Sequence, residues 1–247
     1  MKITIAILII AMTSPVKDFA QTQLNKTIPV QPGQKINMHF DYPELVQVST
    51  WDRNEISVQG TVSINGGEND DAFIFENAVN GNVIDLRSFI KDLKNLPQRI
   101  TIMRDGQKIM FRTKADLKKY QEEHGGGYNT MSWGADIDIK LEIKVPKNIE
   151  TRVESVYGMV EIKNFNGPLT VEATYGGVDA ALAERAAGEV IAETNYGEIY
   201  TNFDTKFSGG GFKERDFHTY VTAKPGSGPK YTFESKYGNV YIRKAGQ

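Results

Sequence analysis

The dipeptide Tyr-Gly occurs at residues 157/158, 175/176, 196/197 and 237/238, and every copy carries matched flanks. A glutamate stands three positions before each tyrosine (Glu154, Glu172, Glu193, Glu234), and Val160, Val178, Ile199 or Val240 stands three after it. The copies are 18, 21 and 41 residues apart, the last about two periods. A period near 20 is in the range of stacked β coils. Positions six, four and two before tyrosine read Leu169, Val171, Ala173, then Val190, Ala192, Thr194, then Tyr231, Phe233, Ser235. That is the period-2 face of a strand turned inward. After the motif the inward positions are three and five past tyrosine, Val160 with Ile162 and Val240 with Ile242.

The step from two before to three after is odd, so an unbroken strand would turn one of these sets out to water. The chain must shift phase at Tyr-Gly. Glycine tolerates positive φ at a bulge or corner, so Gly158, Gly176, Gly197 and Gly238 are expected at corners that each join two short strands. The expectation is an all-β chain whose repeat coils, residues 149–247, stack as a parallel β-solenoid (a β-helix), with like residues about 4.8 Å apart. Tyr157, Tyr175, Tyr196 and Tyr237 would then line one edge as an aromatic stripe. Such a stripe can stabilise neighbouring strands or offer sugars a platform; its recurrence with the corner glycine favours the structural role.

Upstream, apolar alternation marks further strands in "VQVSTW" (46–51), "EISVQGTVSI" (55–64), "NVIDLRS" (82–88) and "DIDIKLEIKV" (136–145). Residues 88–134 read as an insertion. Asp105-Gly106 centres a hairpin over 99–112, which sets Ile102 opposite Ile109 and Ile100 opposite Phe111. A short helix follows over 114–124, capped by Thr113 with Asp116 and ended by Gly125. The hairpin's other face carries Met103, Lys108 and Met110. Methionines on a half-exposed face suit an adaptable contact surface, so these residues are the candidate partner site; a flap over the solenoid is the plainer alternative.

The chain has 247 residues, 40% of them apolar, and a formal net charge of -2. A core is affordable, and there is no electrostatic footprint for nucleic acid or an anionic membrane. Residues 1–20 read as an export signal: Lys2, the apolar run Ile3 to Met12, the breaker Thr13-Ser14-Pro15, and Ala20 before Gln21. Asp18 is atypical so near the cut. A run of ten residues is too short to span a bilayer, so the mature chain, a single domain over 21–247, is expected in the periplasm, at the surface or secreted. It has no cysteine, which excludes disulfides, thiolate zinc, a catalytic thiol and a cysteine-linked lipid.

No catalytic, cofactor or metal constellation emerges. His39, His124 and His218 lie far apart, and "GGENDDAF" (66–73) lacks the ligand spacing of a calcium loop. "HGGGYNT" follows a helix rather than preceding one, which disfavours a phosphate cradle. The repeated glutamates are scaffold before they are catalytic, because an acid–base pair is needed only once.

The signal ending in Ala-Gln, the early "VQVSTWDRNEISVQG", the strand ending in "IKVPKNI" and the serial Tyr-Gly-x-Val coils together resemble an exported, adhesin-like family of β-strand-repeat domains common in Bacteroidetes-like bacteria. The resemblance implies an extracytoplasmic β-helical protein and carries no catalytic residues. It points to a non-enzymatic envelope protein with a protein or glycan partner. The competing readings are a polysaccharide lyase or glycoside hydrolase on a β-helix, and an envelope stress-linked accessory protein. The chain departs from the pattern in its 88–134 insertion and over 205–230, where a Tyr-Gly expected near 217 is missing.

Overall fold

A computed structural model describes residues 21–209 and 217–246; the proposed export signal, residues 1–20, lies outside the described residues. The N-terminal half forms β1 (Thr22–Pro29), β2 (Lys35–Phe40), β3 (Leu45–Trp51), β4 (Glu55–Ile64), β5 (Phe73–Asn80) and β6 (Val83–Ile90). Then come β7 (Arg99–Arg104), β8 (Gln107–Phe111), the helix α1 (Lys114–His124), β9 (Thr130–Gly134) and β10 (Ile137–Pro146). The repeats supply β11 (Thr151–Ser155), β12 (Met159–Lys163), β13 (Leu169–Ala173), β14 (Val178–Leu182), β15 (Glu189–Thr194) and β16 (Ile199–Thr201). The chain closes with β17 (Thr219–Ala223), β18 (Lys230–Ser235) and β19 (Val240–Lys244).

These strands build two eight-stranded sheets and one of three strands. The first sheet runs β1-β4-β10-β3-β12-β14-β19-β16, the second β17-β15-β18-β13-β11-β2-β6-β5. Inward residues of both meet in one core, including Phe40, Val48, Ile143, Val171, Ile162 and Phe233. The expected alternation is visible in β13, where Leu169, Val171 and Ala173 are buried and the residues between them are not.

The all-β class holds, but the parallel β-solenoid does not. Both large sheets are mixed. Antiparallel pairing joins β1 to β4, β4 to β10, β5 to β6 and β15 to β17, and the remaining pairs of both large sheets are parallel, out to the β16 edge of the first. Coils of a solenoid would stack in chain order, whereas β18 lies between β13 and β15, and β19 between β14 and β16. Side-chain volume explains the intercalation: Phe233 of β18 sits beside Ala192 of β15 on one side and Val171 of β13 on the other. A large ring between smaller neighbours fills the layer without a void. The N-terminal half then adds antiparallel strands that widen both sheets.

The three-stranded sheet, β8-β7-β9, has its own core of Ile100, Ile102 and Phe111, against which Ile109, Leu117 and Tyr120 of β8 and α1 pack. Ile102 lies opposite Ile109, and Ile100 opposite Phe111. Thr113 and Asp116 cap α1 reciprocally, satisfying two otherwise orphaned N–H groups. Polar contacts fasten this unit to the larger sheets. Glu68 receives hydrogen bonds from Arg99, at 2.7 Å, and from Arg112. The buried Asn65 side chain donates to the Pro97 carbonyl at 2.9 Å and accepts the Asp136 N–H at 2.9 Å.

Candidate binding surface at the tyrosine ladder

Tyr157, Tyr175, Tyr196 and Tyr237 all fall in the bends between a strand of the second sheet and one of the first. The corner glycines do not adopt positive φ; Gly158, Gly176, Gly197 and Gly238 are absent from the left-handed residues. Close approach is what requires them. A Cβ on Gly176 would lie 1.8 Å from the Gly158 carbonyl oxygen, one on Gly238 2.2 Å from that of Gly176, and one on Gly197 2.0 Å from that of Gly238. The column starts at Gly158, whose Cβ would meet the Pro43 carbonyl oxygen at 2.0 Å. Two buried hydroxyls bind the layers together. Ser235 Oγ accepts from Gly238 N at 2.9 Å and donates to the Gly176 carbonyl at 2.7 Å. Thr194 Oγ1 accepts from Gly197 N at 3.1 Å and donates to the Gly238 carbonyl at 2.9 Å.

The rings stack in the same order. Centroids are 5.4 Å apart from Tyr42 to Tyr157, 5.1 Å to Tyr175, 5.2 Å to Tyr237, 5.1 Å to Tyr196 and 5.8 Å to Phe217. The four repeat tyrosines remain 44–60% exposed, yet inside the ladder each ring covers its neighbours' faces and shows water only its rim and hydroxyl. An internal ring therefore has no open face for a sugar.

Two members of the ladder were not evident from the Tyr-Gly motif. Tyr42 is followed by proline, but Ile36, Met38 and Phe40 stand six, four and two before it, the same inward signature, and all three are buried. Among the described residues, Phe217 continues the ladder past Tyr196, in the stretch where the expected Tyr-Gly is missing.

Beside the rings runs a row of carboxylates. Backbone pairing puts His39, Glu154, Glu172, Glu234 and Glu193 in register across five strands. His39 contacts Glu154 and Asp41 through its two ring nitrogens, each at 2.9 Å, and His218 contacts Glu193 at 2.7 Å. Arg152 reaches both Glu154, at 2.7 Å, and Glu172, at 2.5 Å. Burial raises the Glu172 carboxyl above its ordinary range, and the charges of Glu154 and Glu234 add to this against the pull of Arg152. Burial acts upward on Glu154 too, but hydrogen bonds from His39 and Arg152 outweigh it and hold that carboxyl low. Among the described residues, no three metal-ligating side chains converge.

At the ladder's Phe217 end the first sheet stops at β16 while the second continues to β17. The step holds a cleft of about 800 Å³ lined by Tyr196, Glu198, Tyr200, Phe217, Thr219 and Asn239, among others. Tyr200 stacks on Tyr241 at 5.1 Å and donates its hydroxyl to Glu198. That hydrogen bond is the main reason the Tyr200 phenol is raised above its ordinary range. Asn239 accepts the Glu198 N–H at 2.8 Å. The cleft thus combines aromatic rings on a sheet edge with a fixed carboxylate and amide.

Met103 and Met110 of the hairpin are half-buried, Met110 lies against Gly66, and Lys108 pairs with Asp136 at 2.6 Å. The exposed large hydrophobic side chains of that unit include Tyr128 ahead of β9 and Met131 and Trp133 on it. His124 stacks on Tyr120 at 4.3 Å. In the 66–73 loop, Asp70 accepts the N–H groups of Ile64, at 2.7 Å, and Thr22, at 3.1 Å, so this carboxylate is used in the scaffold.

No family model matches this sequence, and no curated protein is similar to it in sequence. Two solved structures are similar in shape. One is described as a "putative cell adhesion protein" from Clostridium sporogenes ATCC 15579; it is 12% identical, with 91% of this chain and 99% of that one covered and a TM-score of 0.44. The other is a "putative adhesin" from Bacteroides fragilis NCTC 9343, 14% identical, with 92% and 98% covered and a TM-score of 0.32. At this distance neither fixes the fold or the role of the present chain. Among the described residues, no helix is long and apolar enough to cross a membrane.

Proposed function

We propose that this chain is an exported, non-enzymatic binding protein of the cell envelope, adhesin-like in kind, and that it takes saccharide in the cleft beside Tyr200. The observation that carries the reading is the placement of the edge-strand ring of Tyr200 beside Glu198 and Asn239 in one open recess. Concave sites that combine aromatic area with a few placed polar groups are the usual form of a small-ligand site. A pyranose presents an apolar C–H face to a ring and hydroxyls to a carboxylate or amide, which matches this lining. Export is supported by the character of residues 1–20.

Glycoside hydrolysis ordinarily needs two carboxyl groups across the scissile bond, and Glu198 is the one carboxylate among the described residues lining the cleft. The test is titration of residues 21–247 with N-acetylhexosamine and neutral hexose oligomers, read by NMR shifts. Saturable shifts at Tyr200 and Glu198 that vanish in Tyr200→Ala support the reading. Absence of binding by either class at millimolar concentration, or binding indifferent to Tyr200→Ala, overturns it; reducing-end release would restore the hydrolase.

A further inference from the structure

The cleft beside Tyr200 has a sign of charge and a hydrogen-bonding polarity. Among its described lining residues Glu198 is the one carboxylate, and none is lysine or arginine. Tyr200 donates its hydroxyl to Glu198 Oε2, which pins that carboxylate at the rim of the ring. Glu198 Oε1 accepts from none of the described residues. The protons around it are already committed. Asn239 takes the Glu198 N–H on Oδ1 and donates through Nδ2 to the Tyr241 hydroxyl at 3.1 Å, and the Gly197 N–H goes to Thr194 at 3.1 Å. Beside the ring the recess thus presents a carboxylate as acceptor, and a ligand must bring the donors.

Tyr200 supplies a second preference. β16 is the last strand of its sheet, so one face of the ring lies against Tyr241 at 5.1 Å and the other faces past the sheet edge, leaving the residue 45% exposed. A phenol hydrogen-bonded to a carboxylate gains electron density, and a cation is drawn to such a face within about 6 Å of its centroid. Ring and carboxylate together therefore fit an ammonium, with its charge over the face and its N–H groups on Oε1.

We propose that the cleft selects a saccharide carrying a free amine, whose ammonium lies over the open face of Tyr200 and donates to Glu198 Oε1; this rests on the saccharide reading of the cleft. An N-acetyl group gives up the charge and sets a carbonyl oxygen near Glu198. A hydroxyl makes the hydrogen bond without the charge, and a uronate places a second carboxylate beside the first. The competing place for an ammonium is the row of glutamates from Glu154 to Glu193. Glu154 and Glu172 already hold Arg152 there, and Glu193 holds His218. The rings beside that row cover one another's faces, so it offers an ammonium no open ring.

The test compares oligomers of glucosamine, N-acetylglucosamine and glucose with the same linkage and length. Each is titrated into residues 21–247 at about pH 6, where an amine is protonated, and read by NMR. The glucosamine oligomer should bind about tenfold more tightly than the other two, with its shifts at Tyr200 and Glu198. Glu198→Gln should erase that difference. Raising the pH to about 9 should weaken the glucosamine oligomer and leave the N-acetylated one unchanged, because only the former loses a charge. Equal affinity for all three overturns the amine selection and leaves the saccharide reading standing. A preference that survives Glu198→Gln, or whose shifts fall on Glu234 and Glu193, does the same. Binding by none of the three overturns the selection together with the reading it rests on.

Discussion

Gly176 lies directly over Gly158, so close that a Cβ on Gly176 would stand 1.8 Å from the Gly158 carbonyl oxygen. Gly176→Ala must push two backbone layers apart, and with them the Tyr157–Tyr175–Tyr237 stack. We expect a loss of about 3 kcal/mol or more. Gly81→Ala is the control: Gly81 has φ +61° and open space around its Cα, so only left-handed strain opposes the methyl group, about 1–2 kcal/mol. Urea unfolding that ranks Gly81→Ala as the more damaging change would refute the close-approach account.

The two tyrosine ladders should separate stability from binding. Tyr175 has a ring on each face, and Tyr175→Ala should cost about 1–3 kcal/mol with saccharide affinity unchanged. Tyr200 belongs to a two-ring stack on an edge strand. Tyr200→Ala should lower stability by less and abolish binding. Calorimetric melting and ligand titration on both variants measure the contrast.

Glu68 and Glu172 should respond to pH with opposite signs. Hydrogen bonding to Arg112, opposed by burial and reinforced by Arg99, holds the Glu68 carboxyl below its ordinary range. Its contribution to stability is present above the unfolded-state value and is lost as pH falls through the folded one. Glu68→Gln should therefore destabilise at neutral pH and make little difference in strong acid. Burial, helped by Glu154 and Glu234, raises Glu172; its favourable contribution exists below the unfolded-state value and disappears as pH rises through the folded one. Glu172→Gln should accordingly leave the neutral-pH protein as stable as the parent or more so. Melting curves across the acid range test both signs.

The small sheet should unfold apart from the large ones. Ile102 is buried in the separate core with Ile100 and Phe111, and Ile102→Ala should cost that unit about 2–4 kcal/mol. Hydrogen exchange should rise across β7, β8 and α1 and remain slow in β13 and β18. Equal loss of protection in both regions would show one cooperative core instead of two.

What the sequence determines here is local. The inward alternation of Leu169, Val171 and Ala173 specifies a strand and its buried face, because successive side chains must point to opposite sides. The turn at Asp105-Gly106 and the reciprocal cap of Thr113 and Asp116 depend on groups within a few residues of one another. The Tyr-Gly repeat likewise marks its bends, and its matched flanks bring like residues into register. The neighbours of each coil are a tertiary matter. Nothing near residue 233 in the chain announces that Phe233 will lie beside Ala192, a contact decided by how volumes fill a shared core. The same holds for the reason the corner residue is glycine: φ is a property of one residue, whereas the 1.8 Å approach exists only once another layer has stacked on it. Tyr42 and Phe217 join the ladder without the motif because stacking needs a ring at the right height and not a particular following residue. The cleft beside Tyr200 was invisible for a related reason. It arises where one sheet ends a strand before the other, and that difference belongs to the order of strands in space, not to their order along the chain.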